Sequence, residues 1–401
     1  MRLLAALLLC VVGLSGSTAE TSPMAGPPPH DAYIWQRLWT PKVVAAAAQS
    51  ANLIARWHLL VGEAAASGHW TAVAVPWTEI RGTDRPIVAV IRIDGRLDEA
   101  RMPALLDRIA ATVASAPALA GLEIDYDCPT SKLAGYARFL AALRQRLPSG
   151  LALSITALPT WMSSPALERV AAELGEIVLQ VHAVDDPRHG LFDPVQAERW
   201  VRDFGRRIPG PFRVALPAYD VRVTWRADGK LASVEGERKL LTGHDDGETL
   251  GADPKAVLDL IHSLERAAPV GLRGFVWFRL PTTADVRAWS LDTWRAVITG
   301  HLPPARLDAA LVPTDSPNLW DVTLINEGQV DVSLPRQVRL DPGCEAADGA
   351  NGFHLASVHT DTAHLLALDG PKDGGRLRAH GKRVIGWARC SQPQRQLDVA
   401  Q

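Results

Sequence analysis

Eight short apolar runs that alternate with segments of helical periodicity constrain the fold of this chain more than any other feature. The runs are AYIWQRL, WHLLVGE, PIVAVIRID, GLEIDYD, LALSITAL, EIVLQVHAV, FRVALPAYDV and GFVWFRL, all between about residues 30 and 300. Between most of them apolar residues recur at steps of three and four, as in SKLAGYARFLAALRQRL. Parallel strands joined by helices produce this alternation, and about 250 residues suffice for eight such units. The sequence therefore predicts a (β/α)8 barrel of the TIM type over 30–300, with an open doubly wound sheet as the alternative.

Three segments depart from this alternation. After WHLLVGE the chain continues AAASGHWTAVAVPWTEIRGTDR, which is closer to another strand than to a helix, so the second crossover is expected to be irregular. The segment VRVTWRADGKLASVEGE places ADGK between two alternating runs, which is typical of a β-hairpin on the seventh strand-to-helix loop. Beyond Gly300 a Pro-rich linker leads into short alternating strands such as WDVTLINEG and RVIGWARC, which predict an immunoglobulin-like β-sandwich over 303–401.

The first residues, MRLLAALLLCVVGLSGSTAE, combine one early cation with about a dozen apolar residues and small residues near the end. This pattern is typical of a secretory signal peptide at 1–19, and its apolar run is short for a membrane span. We therefore expect an exported protein, periplasmic or extracellular, without a membrane span. In an oxidising compartment we expect Cys344 and Cys390 to form a disulfide and Cys128 to stay free, with buried free thiols as the alternative.

The composition argues against several classes of function. A formal net charge of −2 over 401 residues gives no electrostatic footprint for nucleic acid or anionic lipid. The sequence contains no Gly-rich phosphate loop, no Ser-centred nucleophile elbow and no Cys-x-x-Cys pair. The stretch HAVDDPRH, residues 182–189, lacks a recognised metal-ligand spacing. We therefore expect neither a metal nor a cofactor.

The run AGLEIDYDCP carries an acid at every second position, Glu123, Asp125 and Asp127. Alternate side chains of a strand point the same way, so the three carboxylates share one face. Since active sites of these barrels lie at the C-terminal ends of the strands, Asp127 is expected at the mouth and Glu123 deepest. Crowded carboxylates do not all ionise cheaply, so at least one should hold a proton, as a general acid must. The structural alternative is a salt-bridge network in which Arg92 or Arg279 neutralises the acids.

Residues 120–127 resemble the fourth-strand signature of family 18 glycoside hydrolases, the chitinase-like barrels, which runs Asp-Gly-x-Asp-x-Asp-x-Glu. Gly121 and Asp125 match this signature, Glu123 replaces its second Asp, Asp127 replaces its terminal Glu, and Ala120 replaces its first Asp. The resemblance implies that Asp127 protonates the glycosidic oxygen, while Asp125 orients the acetamido group of the substrate.

A conventional carboxylate pair remains the alternative, in which Asp127 works with Glu63 at the end of WHLLVGE or with Asp220 after FRVALPAY.

The same family resemblance suggests residues that contact the sugar. PAYD resembles a late-strand motif of the family and suggests Tyr219, and GFVWFRL places Trp277 where the family has a tryptophan that floors the sugar subsite. For Trp277, core packing is the alternative. Gln180 and His182 alternate toward the barrel axis in LQVHAVDD and are candidates for hydrogen bonds to substrate, unless His182 is a satisfied core residue. The remaining substrate-binding candidates are Asp220 and Trp35.

The chain as a whole resembles a family of bacterial exported proteins with a domain of unknown function. The resemblance rests on AYIWQR in the first strand, the IDYDCP turn and VIGWAR near the end, and it implies a barrel followed by a β-domain. Together these observations predict a glycoside hydrolase-like exported protein that acts on an envelope or extracellular polysaccharide, with Asp127 as general acid. The alternative is a non-catalytic glycan-binding barrel that has lost hydrolase activity.

Overall fold

The structure is a computed structural model that describes most of the chain. It covers residues 26–184, 186–208, 210–226, 228–236, 247–285, 287–340, 343–356, 365–368, 375–391 and 396–400. The predicted signal peptide at 1–19 lies outside these residues and stays a prediction. Within the described stretches, no helix has the length and apolar character that crossing a membrane requires.

Eight parallel strands close into a barrel in the N-terminal part of the chain. The strands of this part, in chain order, are β1 (His30–Ile34), β2 (Trp57–Ala64), β3 (Trp70–Ala72), β4 (Ile87–Ile93), β5 (Gly121–Asp125), β6 (Ala152–Ala157), β7 (Glu176–Gln180), β8 (Phe212–Pro217), β9 (Asp220–Trp225), β10 (Leu231–Glu235), β11 (Gly247–Gly251) and β12 (Leu272–Phe278). The barrel runs β1-β2-β4-β5-β6-β7-β8-β12, and β12 pairs with β1 to close it. The predicted (β/α)8 barrel is therefore confirmed, and the open sheet is excluded.

Helices on the outside of the barrel connect most of these strands. They are α1 (Pro41–Ser50), α2 (Trp77–Arg81), α3 (Met102–Ser115), α4 (Leu133–Arg144), α5 (Leu167–Ala171), α6 (Pro194–Arg207), α7 (Pro254–Arg266) and α8 (Leu291–Ile298). The apolar repeat in α4 buries Tyr136, Leu140 and Leu143 against the barrel. Asp193 and Asp253 cap the first turns of α6 and α7 by accepting backbone N–H groups, and proline occupies the first position of both helices.

The two predicted departures inside the barrel region occur where the sequence places them. The second crossover contains the short strand β3, antiparallel to the end of β2, and only five residues of helix in α2. The insertion after β8 forms the hairpin β9–β10, and β11 adds to the other edge of β9. Gly229 in the hairpin turn has φ +76°, a conformation that glycine adopts without steric cost.

Antiparallel strands form the C-terminal part of the chain. They are β13 (Leu307–Pro313), β14 (Leu319–Asn326), β15 (Val332–Ser333), β16 (Gln337–Arg339), β17 (Cys344–Gly349), β18 (Phe353–Ala356), β19 (Leu365–Leu368), β20 (Arg376–Leu377), β21 (Lys382–Cys390) and β22 (Gln396–Ala400). Eight of them form one sheet in the order β17-β21-β14-β13-β22-β16-β19-β18, and β15 pairs with β20. Residues from both ends of this sheet, including Cys344 of β17 and Phe353 of β18, share one apolar core. The predicted antiparallel β-structure is confirmed, and its immunoglobulin-like connectivity stays a prediction.

The C-terminal sheets contact the barrel through buried polar groups. Arg376 donates to Asp220 Oδ1 at 2.8 Å and to the carbonyl oxygen of Ala252 at 2.6 Å. Asp331 accepts from the backbone N–H of Ser290 at 2.7 Å, directly before α8. These hydrogen bonds join the C-terminal sheets to the barrel at two places, through Arg376 and through Asp331.

The predicted disulfide between Cys344 and Cys390 is present, and Cys128 is free and buried. The bond closes a separation of 46 residues in sequence. We expect Cys344→Ala/Cys390→Ala to lower the free energy of unfolding of the C-terminal part by about 4 kcal/mol, because the unfolded chain gains conformational entropy. Urea unfolding monitored by circular dichroism measures the change.

The matched control for this experiment is Cys128→Ala, which removes a buried thiol without opening a disulfide. Burial raises the pKa of Cys128 to about 12, so this thiol should not react with thiol reagents in the folded protein. Equal stability of the double variant and the wild type would contradict the assignment.

Candidate functional site

The interior of the barrel is layered, because alternate residues of each strand point toward its axis. Tyr33, Leu60, Val90, Val178 and Val276 form an apolar layer in the middle. Charged residues lie below this layer, at the N-terminal end of the strands, and above it, at the mouth. The two charged layers have different exposure and therefore different chemistry.

The lower layer neutralises Glu123, which is fully buried. Tyr33 donates its hydroxyl to Glu123 Oε1 at 2.6 Å, and His58 Nδ1 lies 3.1 Å from Oε2. The other ring nitrogen of His58 lies 3.3 Å from Asp31 Oδ2. Burial alone would lower the pKa of His58, but the carboxylates of Glu123 and Asp31 outweigh it and raise the pKa to about 9. His58 is therefore a buried imidazolium between two carboxylates.

Two arginines complete the lower layer around Asp31. Arg56 and Arg213 lie 2.8 and 3.3 Å from Asp31 Oδ2, and both also contact Glu176. Burial opposes ionisation of Asp31, but its hydrogen bond to His58 and the nearby cations outweigh that effect and lower its pKa. This cluster has the geometry of a neutralised network and lies on the far side of the apolar layer from the mouth.

The upper layer brings Asp125 and Asp127 together on Arg92. Strand pairing places Arg92 of β4 directly beside Asp125 of β5. Its Nη1 donates to Asp125 and its Nη2 to Asp127, each at 2.7 Å, while its Nε donates to Asp94 at 2.9 Å. Thr156 donates to the other oxygen of Asp125 at 2.5 Å. One guanidinium therefore holds three carboxylates at the mouth.

The two mouth acids on β5 and just after it differ in exposure. The side chain of Asp125 is 7% exposed and that of Asp127 is 48% exposed. Burial raises the pKa of Asp125, and the nearby Arg92 only partly opposes this effect. The expected repulsion between Asp125 and Asp127 is reduced, because Arg92 lies between them. The salt bridges that the structural alternative predicted for Arg92 are therefore observed. Arg279, the other cation of that alternative, pairs with Asp285.

A pocket of about 290 Å³ opens above these acids. Aromatic and polar side chains form its walls, among them Trp35, Arg37, Gln180, His182, Tyr219 and Phe278. Pockets with apolar walls and a few convergent polar groups are the usual binding sites for small ligands. The structure thus brings together six of the residues singled out in the sequence: Asp125, Asp127, Gln180, His182, Tyr219 and Trp35.

His182 presents one unused ring nitrogen beside this pocket. Its Nδ1 lies 3.2 Å from the hydroxyl of Tyr219, and its Nε2 has no hydrogen-bond partner among the described residues. Burial lowers the pKa of His182 to about 3, so the ring is neutral at physiological pH. When Tyr219 donates to Nδ1, the proton of the imidazole is on Nε2, which is then a buried donor at the edge of the pocket.

Four predicted site residues lie elsewhere. Glu123 is sealed in the lower layer, and Glu63 pairs with Arg37 beside the pocket at 2.6 Å. Asp220 is bound by Arg376 at the contact with the C-terminal sheets. Trp277 is 0% exposed and points away from the barrel axis.

The position of Trp277 follows from the phase of its strand. Val276 belongs to the apolar layer inside the barrel, so its neighbour Trp277 faces the helices, where its ring packs against Trp289 and Trp294. Phe278 faces inward and lines the pocket. Counting alternation from a known inward residue would have identified Phe278. Thr156 was also missed, and its alternation with Ser154 in LALSITAL was the available signal.

Comparison with known proteins identifies the family to which the chain belongs. A profile of a domain of unknown function (DUF3142) matches residues 83–283, and one of a second domain of unknown function (DUF8456) matches residues 309–391. No curated protein matches the sequence.

Among solved structures, the spore cortex-lytic enzyme SleL of Bacillus megaterium QM B1551 is similar at 14% identity, over 69% of this chain and 74% of that chain, with a TM-score of 0.51. SleL of Bacillus cereus is also 14% identical, over 69% of this chain and 75% of that chain, with a TM-score of 0.50. A chitinase of Chromobacterium violaceum ATCC 12472 is 16% identical, over 68% of this chain and 98% of that chain, with a TM-score of 0.48. The two SleL structures establish a shared fold only. The predicted resemblance to a family with a domain of unknown function is confirmed, and the SleL structures confirm the barrel fold that the resemblance to chitinase-like barrels implied.

The buried imidazolium of His58 leads to a prediction for stability. Its pKa of about 9 in the folded protein exceeds the ordinary 6.5, so its stabilisation is complete below pH 6.5 and is lost as pH rises through 9. We expect the free energy of unfolding to fall by about 3 kcal/mol at most over this range. Urea unfolding at a series of pH values measures the fall. His58→Gln should flatten the profile, and His69→Gln, at an exposed histidine, should not. An equally steep profile for His58→Gln would rule out this role.

Proposed function

Because the chain belongs to the family that shares the domain of unknown function DUF3142, we propose its function from the chemistry of the barrel mouth. The proposed function is hydrolysis of glycosidic bonds in an envelope or extracellular polysaccharide, with Asp127 as general acid. The observation that carries the proposal is the pair of carboxylates, Asp125 and Asp127, held by one guanidinium at the C-terminal end of the strands. Most glycoside hydrolases act through two carboxyl groups that flank the scissile bond.

Exposure assigns the roles within this pair. Asp127 is the carboxyl that a glycosidic oxygen can approach, whereas Asp125 lies beneath it and receives hydrogen bonds from Arg92 and Thr156. In this arrangement Asp127 donates a proton to the leaving oxygen as the glycosidic C–O bond breaks, and Asp125 supports the positive charge that develops on the sugar. Water then adds to the anomeric carbon and returns a proton to Asp127.

Protonation of Asp127 requires that its pairing with Arg92 be weakened. A sugar that enters the pocket excludes water from Asp127, and desolvation favours the neutral form of a carboxyl group. Arg92 keeps Asp94 and Asp125 as partners when Asp127 is neutral, so its own charge remains compensated. The site therefore contains the groups that the proton transfer needs.

The walls of the pocket support a sugar as the ligand. Trp35, Tyr219 and Phe278 line it, and aromatic faces pack well against the apolar face of a pyranose ring. Gln180 and the neutral ring of His182 add polar groups that suit hydroxyl groups. The disulfide between Cys344 and Cys390 supports export, since such bonds persist in oxidising compartments.

A glycan-binding barrel without activity is the second candidate, and the ion pairs at the mouth favour it. Arg92 holds both Asp125 and Asp127, and Arg37 holds Glu63 at 2.6 Å. A carboxylate that stays in such a pair when a glycan binds is ionised and donates no proton. The hydrolase therefore requires Asp127 to be protonated when a glycan binds, whereas the binding barrel leaves it ionised.

The variant Asp127→Asn tests the proposed acid. Acid catalysis contributes about 10²–10⁴-fold, so turnover of polysaccharide substrates with poor leaving groups should fall by about that factor. Activated aryl glycosides need little protonation and should be affected much less. Asp107→Asn, at an exposed ion-paired aspartate on α3, is the matched control and should retain wild-type turnover. Equal losses on both kinds of substrate would show that Asp127 is not the acid.

Binding measurements separate the two candidates. An active wild type whose Asp127→Asn variant binds oligosaccharides with unchanged affinity and has lost turnover supports the hydrolase. A wild type that binds glycans and hydrolyses none of a panel of envelope and exopolysaccharide fragments supports the binding barrel. Isothermal titration calorimetry and reducing-end assays on the same fragments provide both measurements.

A further inference from the structure

A second cavity adjoins the mouth, and we call it the arginine groove. Its volume is about 940 Å³, compared with about 290 Å³ for the mouth pocket. The groove lies between the turn that joins β2 to β3 and the loop that joins β4 to α3, and its principal side chains are those of His69, Trp70, Asp94, Arg96, Arg101 and Arg108. Asp94 lines both cavities. The groove is therefore a continuation of the mouth.

The groove has an excess of positive charge. Of its two acids, Asp94 already pairs with Arg92 at 2.9 Å, and Asp98 lies 3.4 Å from Arg101. Arg96 and Arg108 are exposed, and across the described stretches neither guanidinium has an ion-pair or hydrogen-bond partner. Two uncompensated guanidinium groups thus face a cavity that leads to the mouth acids.

Trp70 gives the groove a rigid apolar wall. Its ring packs over Gly62 of β2, where any β-carbon would clash with it. The same strand pairs with β3 through Glu63 and Thr71, which fixes the backbone beside Trp70. An aromatic face beside cationic groups suits a chain of sugar rings that carry negative charges.

We propose that the arginine groove binds the continuation of an anionic polysaccharide whose neighbouring sugar occupies the mouth. The inference extends the proposed function, because it names the substrate class of the same site. Carboxylate or phosphate groups on the glycan accept hydrogen bonds from Arg96 and Arg108, whose planar forks match both kinds of oxyanion. An uncharged polysaccharide leaves these two guanidinium groups without partners. The groove therefore selects for negative charge on the sugars that flank the one at the mouth.

Binding of a defined panel tests this inference. The panel contains oligomers of polygalacturonate and alginate, which carry carboxylates, a phosphomannan, and uncharged oligomers of chitin and dextran. The full chain should bind at least one anionic member more tightly than either uncharged member, with a Kd that rises with salt. Arg96→Gln/Arg108→Gln should raise that Kd about tenfold, as two exposed ionic contacts would. The carboxylate and phosphate arms show which oxyanion the groove prefers.

The matched control is Arg199→Gln/Arg273→Gln, which removes two exposed arginines that line neither cavity and should leave the Kd unchanged. The inference is overturned if no anionic member binds, if uncharged members bind equally well, or if both double variants behave alike. If an anionic glycan binds through the two arginines and no glycan is turned over, the groove is supported and the hydrolase is rejected. If an uncharged glycan is turned over and Arg96→Gln/Arg108→Gln does not alter that turnover, the hydrolase is supported and the groove is rejected.

Discussion

The interior of this barrel depends on the neutralisation of carboxylates that lie inside it. Strand alternation directs Glu123 and Asp125 toward the axis, where an unpaired charge would cost several kcal/mol. His58 of β2 and Arg92 of β4 supply the compensating charges. For Arg92 the compensation follows from register, since β4 and β5 place it directly beside Asp125.

Both charged layers pair carboxylates with cations, but the two layers differ in their exposure to a ligand. In the lower layer all groups around Glu123 are buried, so the imidazolium of His58 and the hydroxyl of Tyr33 fix the carboxylate in place. In the upper layer Asp127 reaches the pocket, and a ligand can compete with Arg92 for it. The C-terminal end of the barrel therefore presents an accessible carboxylate, whereas Glu123 toward the N-terminal end is held in buried contacts.

The sequence predicted the barrel well because strand and helix periodicities are local properties. The alternation in GLEIDYD likewise predicted that Glu123, Asp125 and Asp127 share a face and increase in exposure in that order. The partners of these acids could not be ranked, because contacts such as His58 with Glu123 join strands that are 65 residues apart in the chain. Trp277 illustrates a second limit: an error of one position in strand phase moves a side chain from the axis to the helices.

Asp220 shows how the C-terminal sheets bear on the mouth without lining it. Its carboxylate is held by Arg376, while its backbone N–H donates to the carbonyl oxygen of Arg287 at 2.8 Å. Three residues after Arg287, the backbone N–H of Ser290 donates to Asp331 of the C-terminal part. The contacts fix the backbone on both sides of Tyr219, the residue that forms one wall of the pocket and bonds to His182. The C-terminal sheets therefore position an aromatic wall of the mouth, although none of their described residues lines the pocket.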